Sequence, residues 1–271
     1  MFRFTMYLVF FIALVFSGFF ALVDFGPQEM VPIIMYNHIG EEVDTENINY
    51  THSRRFQKHM KFLRDSGFNV ISLEDVANIY KRKEKVPRKT VAITFEHGYK
   101  DFYDIAFPIL RKHHFPATVF VSSSYVDRGG YINREQLQRI ADSNTVKIGS
   151  MGIHDNSLQG LQPQEQTMEI FNSKANLQKM AGIDVNFFSF PEGYSTKQLR
   201  YKVKESGYKG AVILQAGKRI SYRNRYAMRR NWVYTKDNYW SFRLKLWGNF
   251  PFIEPLWEKT RKFLNKLWRK R

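Results

Sequence analysis

The chain has no cysteine among its 271 residues, which excludes disulfides, thiolate metal sites and cysteine nucleophiles. That absence leaves the compartment open. Negative charge is scarce: 25 Asp and Glu stand against 42 Lys and Arg, a formal net charge of +17. Such a field favours an anionic partner, whether nucleic acid, anionic lipid or an acidic polymer, and it also serves as a generic solubilising surface. There is no internal repeat and no low-complexity tract, so solenoids and fibrous arrays are excluded. What is abundant is apolar and aromatic: 44% and 16% of residues, enough for a substantial core.

Basic residues are missing from one stretch in particular. Between Arg3 and Arg54 there is no Lys or Arg, and Met6 to Val23 is almost wholly apolar. About 18 residues of helix reach roughly 27 Å, close to the thickness of a bilayer core. The positive-inside rule puts the N-terminus in the cytoplasm and the rest outside. Phe19, Phe20 and Leu22 crowd the zone where a signal peptide would be cut, so the expectation is an uncleaved single-pass anchor in the cell membrane, with a secreted form as the alternative. At the other end, Glu254 to Arg271 reads as a basic amphipathic helix carrying Trp257, Leu264 and Trp268. It suits either an anionic membrane surface or docking on the body of the protein. The expected organisation is a membrane anchor or signal over 1–30, one domain over 31–238 and a basic aromatic tail over 239–271.

Short apolar runs alternate with helical stretches from Val31 to about Lys236. Val31–Tyr36, Thr90–Phe95, Ala117–Val121, Lys147–Ser150, Phe187–Pro191 and Gly210–Leu214 read as strands. Ser53–Ser66, Leu73–Lys83, Tyr103–His113, Asn133–Ser143, Gln162–Met180 and Thr196–Ser206 read as helices, the fifth with Met168, Phe171, Ala175 and Leu177 inside. Strand and helix in repeated alternation mean parallel strands and crossover helices, enough of them to close an α/β barrel. In such barrels the chemistry follows the C-terminal ends of strands.

Three strand ends carry compact polar motifs: Thr94-Phe95-Glu96-His97-Gly98, Gly149-Ser150-Met151-Gly152-Ile153-His154-Asp155 and Phe188-Ser189-Phe190-Pro191-Glu192-Gly193. In order and spacing they resemble the T-F-D-D-G, G-S-H-x-x-x-H and F-x-Y-P-x-G motifs of the polysaccharide deacetylase (NodB-homology) family. The opening strand VPIIMYNHIG, the FPILRKHHFPATVFV stretch and the late Tyr226–Val233 segment resemble it too. The resemblance implies a distorted (β/α) barrel that removes acetyl groups from N-acetylhexosamine-containing glycan by metal-activated water, zinc being the expected divalent metal. It implies Glu96 as the base, in place of Asp. Its ligand positions fall on His97, Met151 and Asp155.

A thioether suits soft Cu(I) and not a hard divalent ion, so Met151 is a poor ligand. His97 and Asp155 are acceptable by type, and His154 is the candidate replacement. Pro191, Glu192, Gly193 and Arg230 are expected near the substrate and its oxyanion. The implied partner is a cell-envelope polysaccharide, with membrane contact through the N-terminal segment and the tail as a further candidate contact. The alternative is an inactive glycan-binding or scaffold homologue. Nucleic acid is not expected, because no recognition motif accompanies the charge.

Overall fold

The computed structural model describes residues 30–41, 49–214 and 224–247, together with Met6, Tyr7, Phe10, Phe11, Leu14 and Gly18. The basic helix expected over 254–271 lies outside these residues, as does most of the expected span. Among the described residues no helix is long and apolar enough to cross a membrane.

Among the described residues ten strands are formed: β1 (Ile33–Tyr36), β2 (His38–Gly40), β3 (Tyr50–His52), β4 (Asn69–Val70), β5 (Thr90–Phe95), β6 (Ala117–Val121), β7 (Val146–Ser150), β8 (Phe187–Ser189), β9 (Gly210–Ile213) and β10 (Met228–Trp232). Seven of them close a parallel barrel in the order β1-β10-β9-β8-β7-β6-β5, with β5 returning to β1 through Ile33 to Tyr36 against Ala92 to Phe95. Every residue of β5 is buried, as expected of a parallel strand covered on both faces.

Helices α1 (Ser53–Asp65), α2 (Leu73–Arg82), α3 (Phe107–His113), α4 (Arg134–Asp142), α5 (Pro163–Ala181), α6 (Lys197–Glu205) and α7 (Tyr239–Lys245) accompany the barrel. Local chemistry sets their limits. Ser72 and Asp75 form a capping box at the start of α2, and Asn133 and Gln136 one at the start of α4, each satisfying two otherwise unpaired N–H groups. α1 buries Phe56, Met60 and Leu63 along one stripe. One end of the barrel is closed by α2: Leu73, Val76, Ala77 and Tyr80 pack with the inward-facing Ile33, Ala92, Phe120, Met151, Phe187, Val212 and Met228. The Tyr80 hydroxyl accepts from the Val31 N–H at 3.1 Å, which fixes α2 at the N-terminal ends of the strands. The C-terminal ends are left for a site.

Three local readings differ from expectation. The helix expected from Tyr103 begins as a π-helical turn over Phe102–Ala106, with the Phe107 N–H bonding to the Phe102 carbonyl. Pro108 lacks the N–H that an α-helical ladder would use there, and the widened turn accommodates the loss. On α5, Met168 and Phe171 are exposed, as is Ala175; the buried face is Ile170, Ser173, Leu177 and Ala181. Ser173 sits on that face because its hydroxyl accepts from Ser150 Oγ at 2.8 Å and donates to the Ile170 carbonyl. Residues 239–247, assigned to the tail from sequence, pack on the barrel instead. Phe242 stacks on His59 at 3.7 Å, and the buried Lys245 ammonium pairs with Asp237 and donates to the Trp232 carbonyl.

Candidate functional site

Glu96 follows the last residue of β5, and its N–H bonds to the Tyr36 carbonyl of β1 at 3.1 Å. The chain then reverses: His97 and Gly98 both adopt left-handed backbone (φ 65° and 67°), and the Gly98 N–H closes on the Glu96 carbonyl. Gly98 is required here, because a Cβ would lie 2.9 Å from Val121 at the end of β6. The turn drives the Glu96 side chain into the protein, where the residue is 4% exposed.

A buried carboxylate needs donors, and Glu96 has a closed set of them. Arg230 Nη1 donates to Oε1 at 2.5 Å, Ser189 Oγ donates to the same oxygen at 2.7 Å, and Arg230 Nη2 donates to Ser189 Oγ at 3.0 Å. The Arg230 guanidinium also lies over the Phe120 ring at 5.6 Å. Among the described residues both donors fall on Oε1, so Oε2 is the oxygen left to take a proton. Burial pushes the Glu96 pKa up, but Arg230, His97 and the Ser189 hydroxyl outweigh it and hold the carboxyl below its usual value.

His97 Nδ1 approaches Asp155 Oδ2 at 2.5 Å, off the N–H direction and so without an in-line hydrogen bond. Burial lowers the His97 pKa, while Asp155 and Glu96 raise it by more, and the ring is held above its usual value. β5 and the loop after β7 therefore bring Glu96, His97 and Asp155 to one cleft at the C-terminal ends of the strands.

His154 does not join them. Its Nδ1 pairs with Glu169 Oε1 of α5 at 2.7 Å, Glu169 Oε2 accepts from the Ile153 and His154 N–H groups, and the side chain is 49% exposed. Adjacent residues 154 and 155 turn to opposite sides, and the acidic partner on α5 holds His154 outward. Met151 packs with the barrel interior at 1% exposure. Among the described residues no three His, Cys, Asp or Glu side chains gather as a metal site. The expected zinc set of His97, His154 and Asp155 is thus reduced to two donors, whereas a catalytic zinc ion is ordinarily held by three protein ligands. Glu96 does not make up the number: its carboxylate is paired with the Arg230 guanidinium, and among the described residues it forms no group of three with His97 and Asp155. The donor set does not fit a tightly held divalent ion. Protein dialysed against metal-free buffer should retain well under one equivalent of zinc by elemental analysis; one firmly bound equivalent would contradict the donor count.

The third motif also differs from expectation. Pro191–Gly193 forms a 3-10 turn in which the Gly193 N–H already bonds to the Phe190 carbonyl at 2.8 Å, so this amide is not free to receive an oxyanion. Glu192 is exposed with left-handed backbone, φ 57°. Gly193 has φ 72°, and a Cβ would lie 2.2 Å from Leu214 Cβ and 2.7 Å from its nitrogen. Gly193→Ala should therefore lower the unfolding free energy by about 1–3 kcal/mol, read as a shifted denaturant midpoint. Arg230, expected on the substrate side, is instead the buried partner of Glu96. Its place was available from the alternation in β10: Met228 and Arg230 share the inward face, and an inward Arg requires a buried acid.

Sequence comparison matches the polysaccharide deacetylase family model over residues 83–211, from the end of α2 into β9. YxkH of Bacillus subtilis (strain 168), assigned by name to the polysaccharide deacetylases, is 28% identical over 200 residues, covering 74% of this chain and 70% of that protein. A poly-β-1,6-N-acetyl-D-glucosamine N-deacetylase of Staphylococcus aureus is 26% identical over 163 residues, 59% of this chain and 53% of its own length. The chain thus spans about half of that relative. Among solved structures, the Streptococcus pyogenes deacetylase PplD in complex with acetate superposes with a TM-score of 0.73 at 20% identity, covering 81% of this chain and 99% of that one. IcaB from Ammonifex degensii does so at 0.68 and 18%, covering 82% and 97%. Likeness at these identities speaks to the fold.

Proposed function

We propose that the chain, which matches the polysaccharide deacetylase family model over residues 83–211, hydrolyses acetamido groups on an N-acetylhexosamine-containing glycan, with Glu96 as the base. The observation that carries this is the buried Glu96 carboxylate at a barrel mouth, held by Arg230 and Ser189 through one oxygen with the other left over. The amide is a poor electrophile and water a poor nucleophile, so the cleft must supply proton transfer and charge stabilisation. In the proposed sequence Glu96 Oε2 takes a proton from water as the water oxygen bonds to the acetyl carbon. The cationic His97 ring, kept charged by Asp155 and Glu96, faces the charge that develops on the carbonyl oxygen. Return of the proton to nitrogen breaks the C–N bond, and acetate and a free amine leave. Arg230 and Ser189 keep Glu96 ionised and oriented between turnovers.

Incubation with an N-acetylglucosamine oligomer tests this. New primary amines should appear on the glycan with a matching loss of acetyl mass. An oligomer that binds and stays fully acetylated would favour the second reading, a glycan-binding homologue, which the buried Met151 and the two-donor set support.

The same reading puts the domain outside the membrane, attached through the leading segment. Its support is the apolar run from Met6 to Val23 and the exposure of Met6, Tyr7, Phe10, Phe11 and Leu14, each more than half exposed. Retention in the membrane fraction after alkaline extraction is the expected result.

A further inference from the structure

Beside the Glu96 cleft lies a run of flat side chains that the proposed reaction does not use. Tyr50 stacks on His38 with ring centres 5.1 Å apart, His38 on Tyr99 at 3.7 Å, Tyr99 meets Tyr131 at 5.2 Å, and Tyr131 meets Tyr125 at 4.9 Å. The Arg128 guanidinium covers the Tyr125 ring at 4.9 Å and ends the row. Tyr99 is also 5.1 Å from His97, so the row begins at the cleft itself. All five rings are partly exposed. A core cluster would bury them, and a random surface would scatter them.

The row is held rigidly. His38 Nδ1 lies 2.7 Å from Asp101 Oδ2, and its ring is packed on both faces. The loop bearing Tyr125 and Tyr131 is pinned to the turn after β5: the Lys100 N–H bonds to the Gly130 carbonyl, the Ile132 N–H to the Gly98 carbonyl, and Tyr99 bridges to Tyr131. Rigid aromatic surface loses little conformational freedom when a ligand settles on it. Rings that each carry an apolar body and a polar tip suit a ligand with apolar C–H faces and hydroxyl edges. A sugar ring is such a ligand. The row extends well beyond one ring, so it suits a chain of them and not a single residue.

We infer that the row from Tyr99 through Tyr131 to Tyr125 is a binding track for the glycan chain next to the residue being deacetylated, and that it makes the protein selective for polymer over monosaccharide. The identity of the ligand rests on the proposed function; the presence of a track does not.

The test uses the full chain with Glu96→Gln, so that binding is read without turnover, and two probes: N-acetylglucosamine and a long N-acetylglucosamine oligomer. Calorimetry should give a large ratio of oligomer to monosaccharide affinity. Tyr131→Ala with Tyr125→Ala should reduce that ratio about tenfold or more. Tyr131→Leu keeps the bulk against Tyr99 if the alanine protein unfolds, and should still reduce it. An unchanged ratio in a folded variant would overturn the track. So would equal affinity of the unsubstituted track for both probes. Acetate release by the natural sequence is measured in parallel: release with an unchanged ratio removes the track and leaves the proposed reaction standing, while a collapsed ratio without release does the reverse.

Discussion

Glu96→Gln should reduce the turnover number by about a hundred- to ten-thousand-fold, the range associated with loss of a positioned general base. The fold should survive, because glutamine retains a carbonyl oxygen that can accept from both Arg230 and Ser189. What disappears is the lone pair basic enough to take a proton from water. Affinity for the glycan should change little, so the loss falls on kcat and not on KM. A variant that retains most of its activity would place the base elsewhere. Unfolding curves for the two proteins are the necessary control, since an unpaired Arg230 charge has some cost even with the amide present.

Arg230→Met should be the most damaging substitution to the structure, and it should alter the pH profile in a way a structural role alone would not. Arg230 is 3% exposed and Glu96 4%, so removing the guanidinium leaves a buried carboxylate with one hydroxyl donor. Breaking a buried pair from one side costs about 3–5 kcal/mol. The sign of the pH effect follows from the shift. With Arg230 present, the Glu96 pKa is below its unfolded value; the resulting stability is present above that unfolded value and is lost as pH falls through the folded one. Without Arg230, burial acts with less opposition and the pKa rises. The acid limb of kcat/KM should therefore move to higher pH in the variant. A profile that keeps its acid limb would show that Arg230 does not tune Glu96. The double variant Arg230→Met with Glu96→Gln should recover much of the lost stability, because no uncompensated charge remains.

Much of the barrel was legible in the sequence because its strands are short, apolar and separated by well-capped helices. The Thr90–Phe95 run has no breaker, and Ser72 with Asp75 and Asn133 with Gln136 announce helix starts. The strand ends, which carry the motifs, were legible for the same reason. What one-dimensional spacing could not give was direction. His154 and Asp155 are neighbours in the chain, yet Glu169, a whole loop away on α5, decides which of them faces the cleft. The inner partners of Glu96 come from β8 and β10, over 90 and over 130 residues later, and only barrel closure brings them together. The exposure of Met168 and Phe171 is not legible in the sequence because apolar residues fall on both sides of α5, and the pair Ser150–Ser173 sets its rotation.

The central claim is that water activated by Glu96 attacks the acetyl carbon. Turnover of an N-acetylglucosamine oligomer in oxygen-18 water examines it directly. Acetate should carry one solvent oxygen per free amine formed, with negligible labelled acetate from the Glu96→Gln protein. Unlabelled acetate, or equal labelled acetate from both proteins, would contradict it.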